Sequence, residues 1–570
     1  ACADGAEDGG DRPADLLLRG GNVITMDADV PRAQAIAIAD ERIVYVGDDA
    51  GTETFLGADT RVIELEGATV LPGLTDGHAH LMGTGRLKTQ IDLLDSTTFR
   101  ELLDAVAAAA ERAEPGEWIV GRGWHQEKWT DAPESTVRGF PTHDELTAAS
   151  PDNPVSIRHA SGHGRLVNRL ALEAAGITAE TPDPPGGEIL HLPDGSPSGM
   201  LLEEAENLVE DAYREWLEER SAAERAAADR RDLRAGIDEF LRYGVTAVHS
   251  PPADSRQGES EAEIALYREA EAAGVLGMRV YTMVSASDAT DESLERLRTV
   301  PEGDGRLTVR AIKAYADGAL GSRGALLLEP YADDETRGEE VSTEAELRRV
   351  TELALRHGYQ AAIHAIGDAA NRRVLDIYAD LFEAHPEQAA DARFRIEHVQ
   401  IVHPDDVARL AELGVVASMQ GVHATSDGPW TPARLGDERS RERAYPFRDL
   451  WDAGALVVNG TDAPVERVDP WSSIAGMTVG RMQDGEVFNP HHLLTRDEAL
   501  ATYTINPARA AFEEDRRGSL AVGKLADVTV VDADPLSAPG EALADIRTLL
   551  TIVGGEVAYE ADTATVESPE

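Results

Sequence analysis

Cysteine is almost missing from this 570-residue chain. Cys2 is the single one, so no disulfide closes within it and no zinc site in the fold draws on a thiolate. Lysine is nearly as scarce: it stands only at Lys88, Lys128, Lys313 and Lys524, which leaves 49 of the 53 basic residues as arginine. No apolar run approaches the roughly 20 residues that cross a bilayer as a helix. No internal repeat stands out, and no glycine-rich loop of the nucleotide-binding kind. These gaps set aside disulfide scaffolds, thiolate metal centres and helical membrane spans.

Negative charge, by contrast, is abundant. Against the 53 basic residues stand 105 acidic ones, a net charge of −52 spread along the whole sequence. Such a shell repels nucleic acid and anionic membrane, so neither is expected as a partner. It suits a protein kept soluble in concentrated salt, where self-repulsion is screened. A GC-rich genome also favours arginine over lysine, so a halophilic source and a compositional bias both stay open. The chain starts Ala1-Cys2 and continues through an Asp/Gly-rich stretch. Residues 1–13 read as a flexible tether, either behind an acylated Cys2 of an extracytoplasmic lipoprotein or with an inert thiol in a cytoplasmic protein.

The length calls for one large domain with attachments. Residues 14–65 alternate short β-rich runs with turns, and that texture returns around 526–532 and 548–557. Segments 14–70 and 506–560 are therefore expected to form one composite β-sandwich domain, with 561–570 a tail. Between them, strand-like runs are expected at 71–76, 245–249, 278–284, 307–315, 360–364, 394–398, 415–419 and 456–461. Amphipathic helices at 344–356, 370–382 and 404–413 separate several of them. Eight strands in alternation with helices imply a parallel sheet closed as a (β/α)8 barrel over 71–505, with chemistry at the strands' C-terminal ends. Residues from about 86 to 232 exceed any crossover and read as an inserted subdomain capping the barrel mouth.

The strand expected at 71–76 ends in Asp76-Gly77-His78-Ala79-His80. In extended chain, residues i and i+2 face one side, so His78 and His80 converge as a two-imidazole claw for a metal. Alone, such a pair is commonplace. Other coordinating groups, however, close other strands: Lys313, His364, His398 and, after Gly460-Thr461, Asp462. A lone histidine at a strand end is usually structural, and Asp after Gly-Thr is a common turn or cap. The joint pattern argues otherwise, since a chain with four lysines keeps one in an apolar strand, where its charge is costly.

These segments, together with Lys313 to Arg323, His364 to Ala369, Glu397 to Gln400 and Gly460 to Ala463, resemble the amidohydrolase superfamily of metal-dependent hydrolases. The nearest branch is the one containing N-substituted formamide deformylases, and the likeness runs from Ala14 to about Tyr559. It implies that His78, His80 and Asp462 hold one divalent ion. Lys313, carbamylated by CO2, would then bridge to a second ion held by His364 and His398. The chemistry agrees: an ammonium has no lone pair to give, whereas a carbamate offers two anionic oxygens. An all-N/O ligand set favours zinc, with one or two ions per chain.

Asp462 is then the catalytic acid–base. His163, in the inserted region, and His423, after the seventh strand, are expected at the substrate. Trp124, beside Trp129, is read as lining an apolar substrate pocket, with packing of the inserted subdomain as the favoured alternative, and Arg323 and Asp317 read either as substrate clamps or as structural partners. His249 reads as a supporting residue rather than a ligand. The chain departs from the family pattern at Ser161, where an acidic residue is usual, and at Gly421, where proline is expected. Three readings follow. The first is hydrolysis of a non-peptide amide or formamide bond in a small molecule. The second is cyclic-amide opening or heterocycle deamination on the same scaffold. The third is a binding protein that retains the fold. Relatives of this kind often form homodimers.

Overall fold

A computed structural model describes residues 13–126, 129–160, 162, 164–184, 187–203, 205–253 and 257–562. Cys2, nearly all of the tether and most of the tail lie outside the described residues. The chain divides into two compact units, one of residues 1–81 and 237–570, the other of residues 82–236.

The first unit contains an eight-stranded sheet whose strands lie side by side in chain order. They are β1 (Leu74–Asp76), β2 (Val245–Ser250), β3 (Arg279–Ser285), β4 (Leu307–Tyr315), β5 (Gln360–Ala365), β6 (Arg395–His398), β7 (Val416–Met419) and β8 (Leu456–Asn459). Every neighbouring pair is parallel. These are apolar, almost wholly buried runs, as expected of strands covered on both faces. Helices return the chain between them, among them Glu344–His357, Asp368–Ala384 and Pro404–Glu412. The first of these starts on a capping box, with Thr343 and Glu346 satisfying each other's backbone N–H groups. The result is a (β/α)8 barrel.

The barrel has a seam. Among the described residues no ladder joins β1 to β8. Just before their C-terminal ends, residues 502–503 bond to both: Asn459 N–H donates to Thr502 O and Thr75 N–H to Tyr503 O. At the C-terminal end the two strands meet directly, Gly77 N–H donating to Asn459 O at 2.9 Å. That meeting needs two glycines. A Cβ on Gly77 would stand 2.1 Å from Val458 Cγ1, and one on Gly460 would stand 2.5 Å from the His78 nitrogen.

The run expected as one strand at 71–76 is two strands in different sheets. Thr69–Pro72 pairs with Val528–Val531, while Leu74–Asp76 enters the barrel. Gly73 marks the break, its N–H donating to Asp527 O. Periodicity reports that a run is extended but not which sheet it joins.

Strands from both ends of the chain build the remaining sheets of this unit. A six-stranded sheet mixes Asn22–Ile24, Arg32–Ala33 and Thr69–Pro72 with Val528–Val531, Thr548–Val553 and Glu556–Glu560. A four-stranded sheet is made from the N-terminal segment alone. Leu16, Ile36, Val70, Val528 and Ile552 share one buried core between the two, as a sandwich requires. Arg279 of β3 makes a buried two-point pair with Asp527, at 2.6 and 3.0 Å, which ties the barrel to this sandwich.

The second unit carries its own six-stranded sheet and two hydrophobic cores. No helix among the described residues is long and apolar enough to cross a membrane.

Candidate metal centre

His78 and His80 follow β1 directly, and Asp462 follows β8 across the seam. Backbone bonds lock the two segments together: Asp462 N–H donates to His78 O, and His80 N–H to Ala463 O, both at 2.7 Å. Asp462 Oδ1 then lies 3.7 Å from His78 Nε2 and 3.5 Å from His80 Nε2. One ligand atom from each of the three falls within 4.8 Å of the others. Asp462 adopts φ +56° and His398 φ +79°, left-handed backbone that costs non-glycine residues about 1–3 kcal/mol and recurs at functional sites.

The far side of each ring is engaged. His78 Nδ1 meets Glu397 Oε2 at 2.5 Å, His80 Nδ1 meets Pro252 O at 3.2 Å, and His398 Nδ1 meets Gln420 Oε1 at 2.8 Å. The rings form a continuous group, with centroids 5.8 Å apart for His78–His80, 4.9 Å for His78–His398 and 4.5 Å for His364–His398. Lys313 is 2% exposed on β4, its Nζ 4.8 Å from the centre of the Tyr315 ring. Its charge bears on His78, His364 and His398. His364, His398 and Lys313 thus adjoin the His78–His80–Asp462 trio without belonging to its tightest cluster.

Electrostatics favour cation binding. Burial, then the Lys313 charge, brings His78 down to about 4 and His364 to about 3. Burial, with His364 beside it, holds His398 well below the usual imidazole range. All three are neutral near pH 7 and hold lone pairs. Asp462 is held well below the ordinary carboxylate range: burial works against this, but the His80 hydrogen bond and the surrounding imidazoles outweigh it. His78 Nε2 and His364 Nε2 are buried without a hydrogen-bond partner. A buried polar atom left so is costly unless something coordinates it. Imidazoles held from behind, with free nitrogens facing a carboxylate, fit a divalent cation.

The other expected residues divide. His423 sits half-buried on the short helix Gly421–Asp427, its Nε2 enclosed and without a hydrogen-bond partner. Gly421 opens that helix packed so closely on the Pro470–Thr478 helix that a Cβ would stand 2.1 Å from Ser473 O. Arg323 forks onto Asp333, at 3.1 and 2.8 Å, so its guanidinium is spent on an ion pair rather than aimed at a ligand. Asp317 accepts from the backbone N–H groups of Leu326, Ile366 and Gly367, which makes it a tie between two loops. Trp124 belongs to the core of the second unit. It is fully buried, its Nε1–H donates to Ile157 O at 3.0 Å, and it stacks on Trp129, which leaves no ring face for substrate. His163 and Ser161 lie outside the described residues.

Sequence reasoning gave no role of their own to Arg395, Glu397 and Gln420, although Glu397 opens one of the segments that carry the resemblance. The first two alternate on β6 in Phe394-Arg-Ile-Glu-His398, and charged residues at i and i+2 of a barrel strand share a face. That spacing was the available signal. His249 accepts at Nδ1 from Arg395 Nη1 at 2.8 Å, which places it behind the cluster.

Comparison with known proteins agrees with this geometry. The profile of a family described as "Amidohydrolase family" matches residues 61–559. The chain is 34% identical over 558 residues to Protein LONG AFTER FAR-RED 3 of Arabidopsis thaliana, covering 96% of this chain and 92% of that one. It is 30% identical over 564 residues to N-substituted formamide deformylase of Arthrobacter pascens, covering 96% and 98%. Among solved structures, an uncharacterized metal-dependent hydrolase from Pyrococcus furiosus superposes with a TM-score of 0.71 at 28% identity, over 92% of this chain and 100% of that one.

Proposed function

The chain belongs to the amidohydrolase family, whose hydrolases act on carbon–nitrogen bonds other than peptide bonds, and from that premise we propose that it removes a formyl or other acyl group from an N-substituted small-molecule amide. The reading rests on the buried, unpartnered Nε2 of His78 set 3.7 Å from Asp462 Oδ1. Similarity to the Arthrobacter deformylase over nearly the full length of both chains supports the substrate class.

In this reading His78, His80 and Asp462 hold one divalent ion. Lys313 as its carbamate, with His364 and His398, would hold a second, and zinc would suit the all-N/O ligands. Divalent ions held there would supply a water acidified towards a pKa of about 7 and would polarise the scissile carbonyl. Asp462, ionised within the cluster, would then take the proton from the attacking water and return it to the departing amine. His423, with its enclosed nitrogen unpaired, orients the substrate.

Two measurements test this together. Metal analysis is expected to find about two divalent ions per chain, with loss in Lys313→Ala. A screen of N-formyl, N-acyl and cyclic amides is expected to release acid and amine from the first two, with ester and lactone controls inert. A chain that holds no divalent ion, or that turns over only cyclic amides or heterocyclic amines, overturns the proposal.

A further inference from the structure

We infer that Arg395 and Glu397 set the cation affinity of the centre, acting on His78 as positioning residues through a buried hydrogen-bond chain that starts at His249. This rests on the reading of His78 as a ligand.

Both side chains are fully enclosed in the barrel interior. Arg395 grips the Glu397 carboxylate from two sides, Nε to Oε1 at 2.6 Å and Nη2 to Oε2 at 3.2 Å. The same guanidinium donates to Gly77 O at 2.8 Å, to Ser418 Oγ at 3.1 Å and to His249 Nδ1 at 2.8 Å. Glu397 Oε2 then meets His78 Nδ1 at 2.5 Å. An ionised carboxylate only accepts, so the proton sits on Nδ1 and the lone pair on Nε2, the atom that faces Asp462.

Two lines converge on one histidine. Glu397 holds the His78 ring, and Arg395 holds the carbonyl of the residue just before it. Barrel interiors are ordinarily filled by layers of branched apolar side chains. A buried ion pair is weak evidence for stability, because apolar residues of the same volume often do as well or better. The pair makes sense through what it does to His78. Outer partners that fix a ligand's tautomer and aim are worth about 10–100-fold in metal affinity.

The test uses the full chain and zinc alone as probe, with competition against a chelator of known affinity and the rate of zinc loss as readouts. Glu397→Gln keeps the shape and removes the charge; Arg395→Lys keeps the charge and removes the fork. Each is expected to weaken zinc binding about 10–100-fold and to speed zinc loss in the protein that folds; Glu397→Gln, which leaves the Arg395 charge buried without its partner, is also expected to melt earlier than the wild type. Either variant alone decides the matter if the other fails to fold. Unchanged zinc affinity and loss rate in a folded variant overturns the inference and leaves the functional proposal standing. A wild-type chain that takes up no zinc overturns both.

Discussion

The backbone N–H of Asp462 donates to the carbonyl of His78 at 2.7 Å, so the segments that follow the first and last barrel strands are bonded at two of the proposed metal ligands. The side-chain spacing of the trio is inherited from this main-chain contact. Gly460 permits it, because a Cβ there would stand 2.5 Å from the His78 nitrogen and 2.8 Å from its oxygen. Gly460→Ala is therefore expected to lose about 1–3 kcal/mol of stability and most of its metal. Thermal unfolding and metal analysis check this; a variant with wild-type melting and full metal content would sink it.

Asp462→Asn preserves shape but cannot take up the proton. It is expected to lower kcat by about 10²–10⁴-fold, while metal content falls less because His78 and His80 remain. Steady-state kinetics on metal-loaded protein give the answer. A change of only a few-fold would mean that another group moves the proton.

The net charge of −52 predicts a salt requirement. Raising ionic strength from about 0.1 M to about 1 M shortens the screening length from about 10 Å to about 3 Å and relieves self-repulsion. The melting temperature of the chain should rise across that range. A flat or falling curve in potassium chloride would show that the acidic surface does not repel itself appreciably.

His492 offers a pH test away from the centre. It is 3% exposed, and burial followed by the neighbouring His491 lowers it to about 4. Its folded pKa lies below the unfolded value of about 6.5, so the unfolded chain binds the proton first. The neutral form's stability is complete above about pH 6.5 and is lost as pH falls towards about 4, levelling off below. His492→Gln should remove up to one proton's worth of slope from the denaturation profile over that interval. An unaltered slope would assign the acid sensitivity elsewhere.

The barrel was legible because each strand is an apolar run bounded by turn residues, and the order of strands follows from a parallel sheet wound in sequence. His78, His80 and Asp462 stood out as coordinating groups at the ends of such runs. What stayed hidden depends on tertiary partners. The alternation Arg395–Glu397 looks the same in a sequence whether it faces solvent or a barrel interior. Trp124 reads as packing or as pocket wall, the former favoured, and only Ile157 and Trp129 seen around it decide between them. The sheet change at Gly73 leaves no mark in an apolar pattern that continues across it.

The seam between β1 and β8 ties assembly to reactivity. Past the strand ends the cylinder is sewn shut by the stitches that gather His78, His80 and Asp462, just beyond the bonds by which residues 502–503 join both edges. The same few main-chain bonds thus both close the cylinder and space these three side chains, so a substitution that loosens the seam is expected to spread them apart as well.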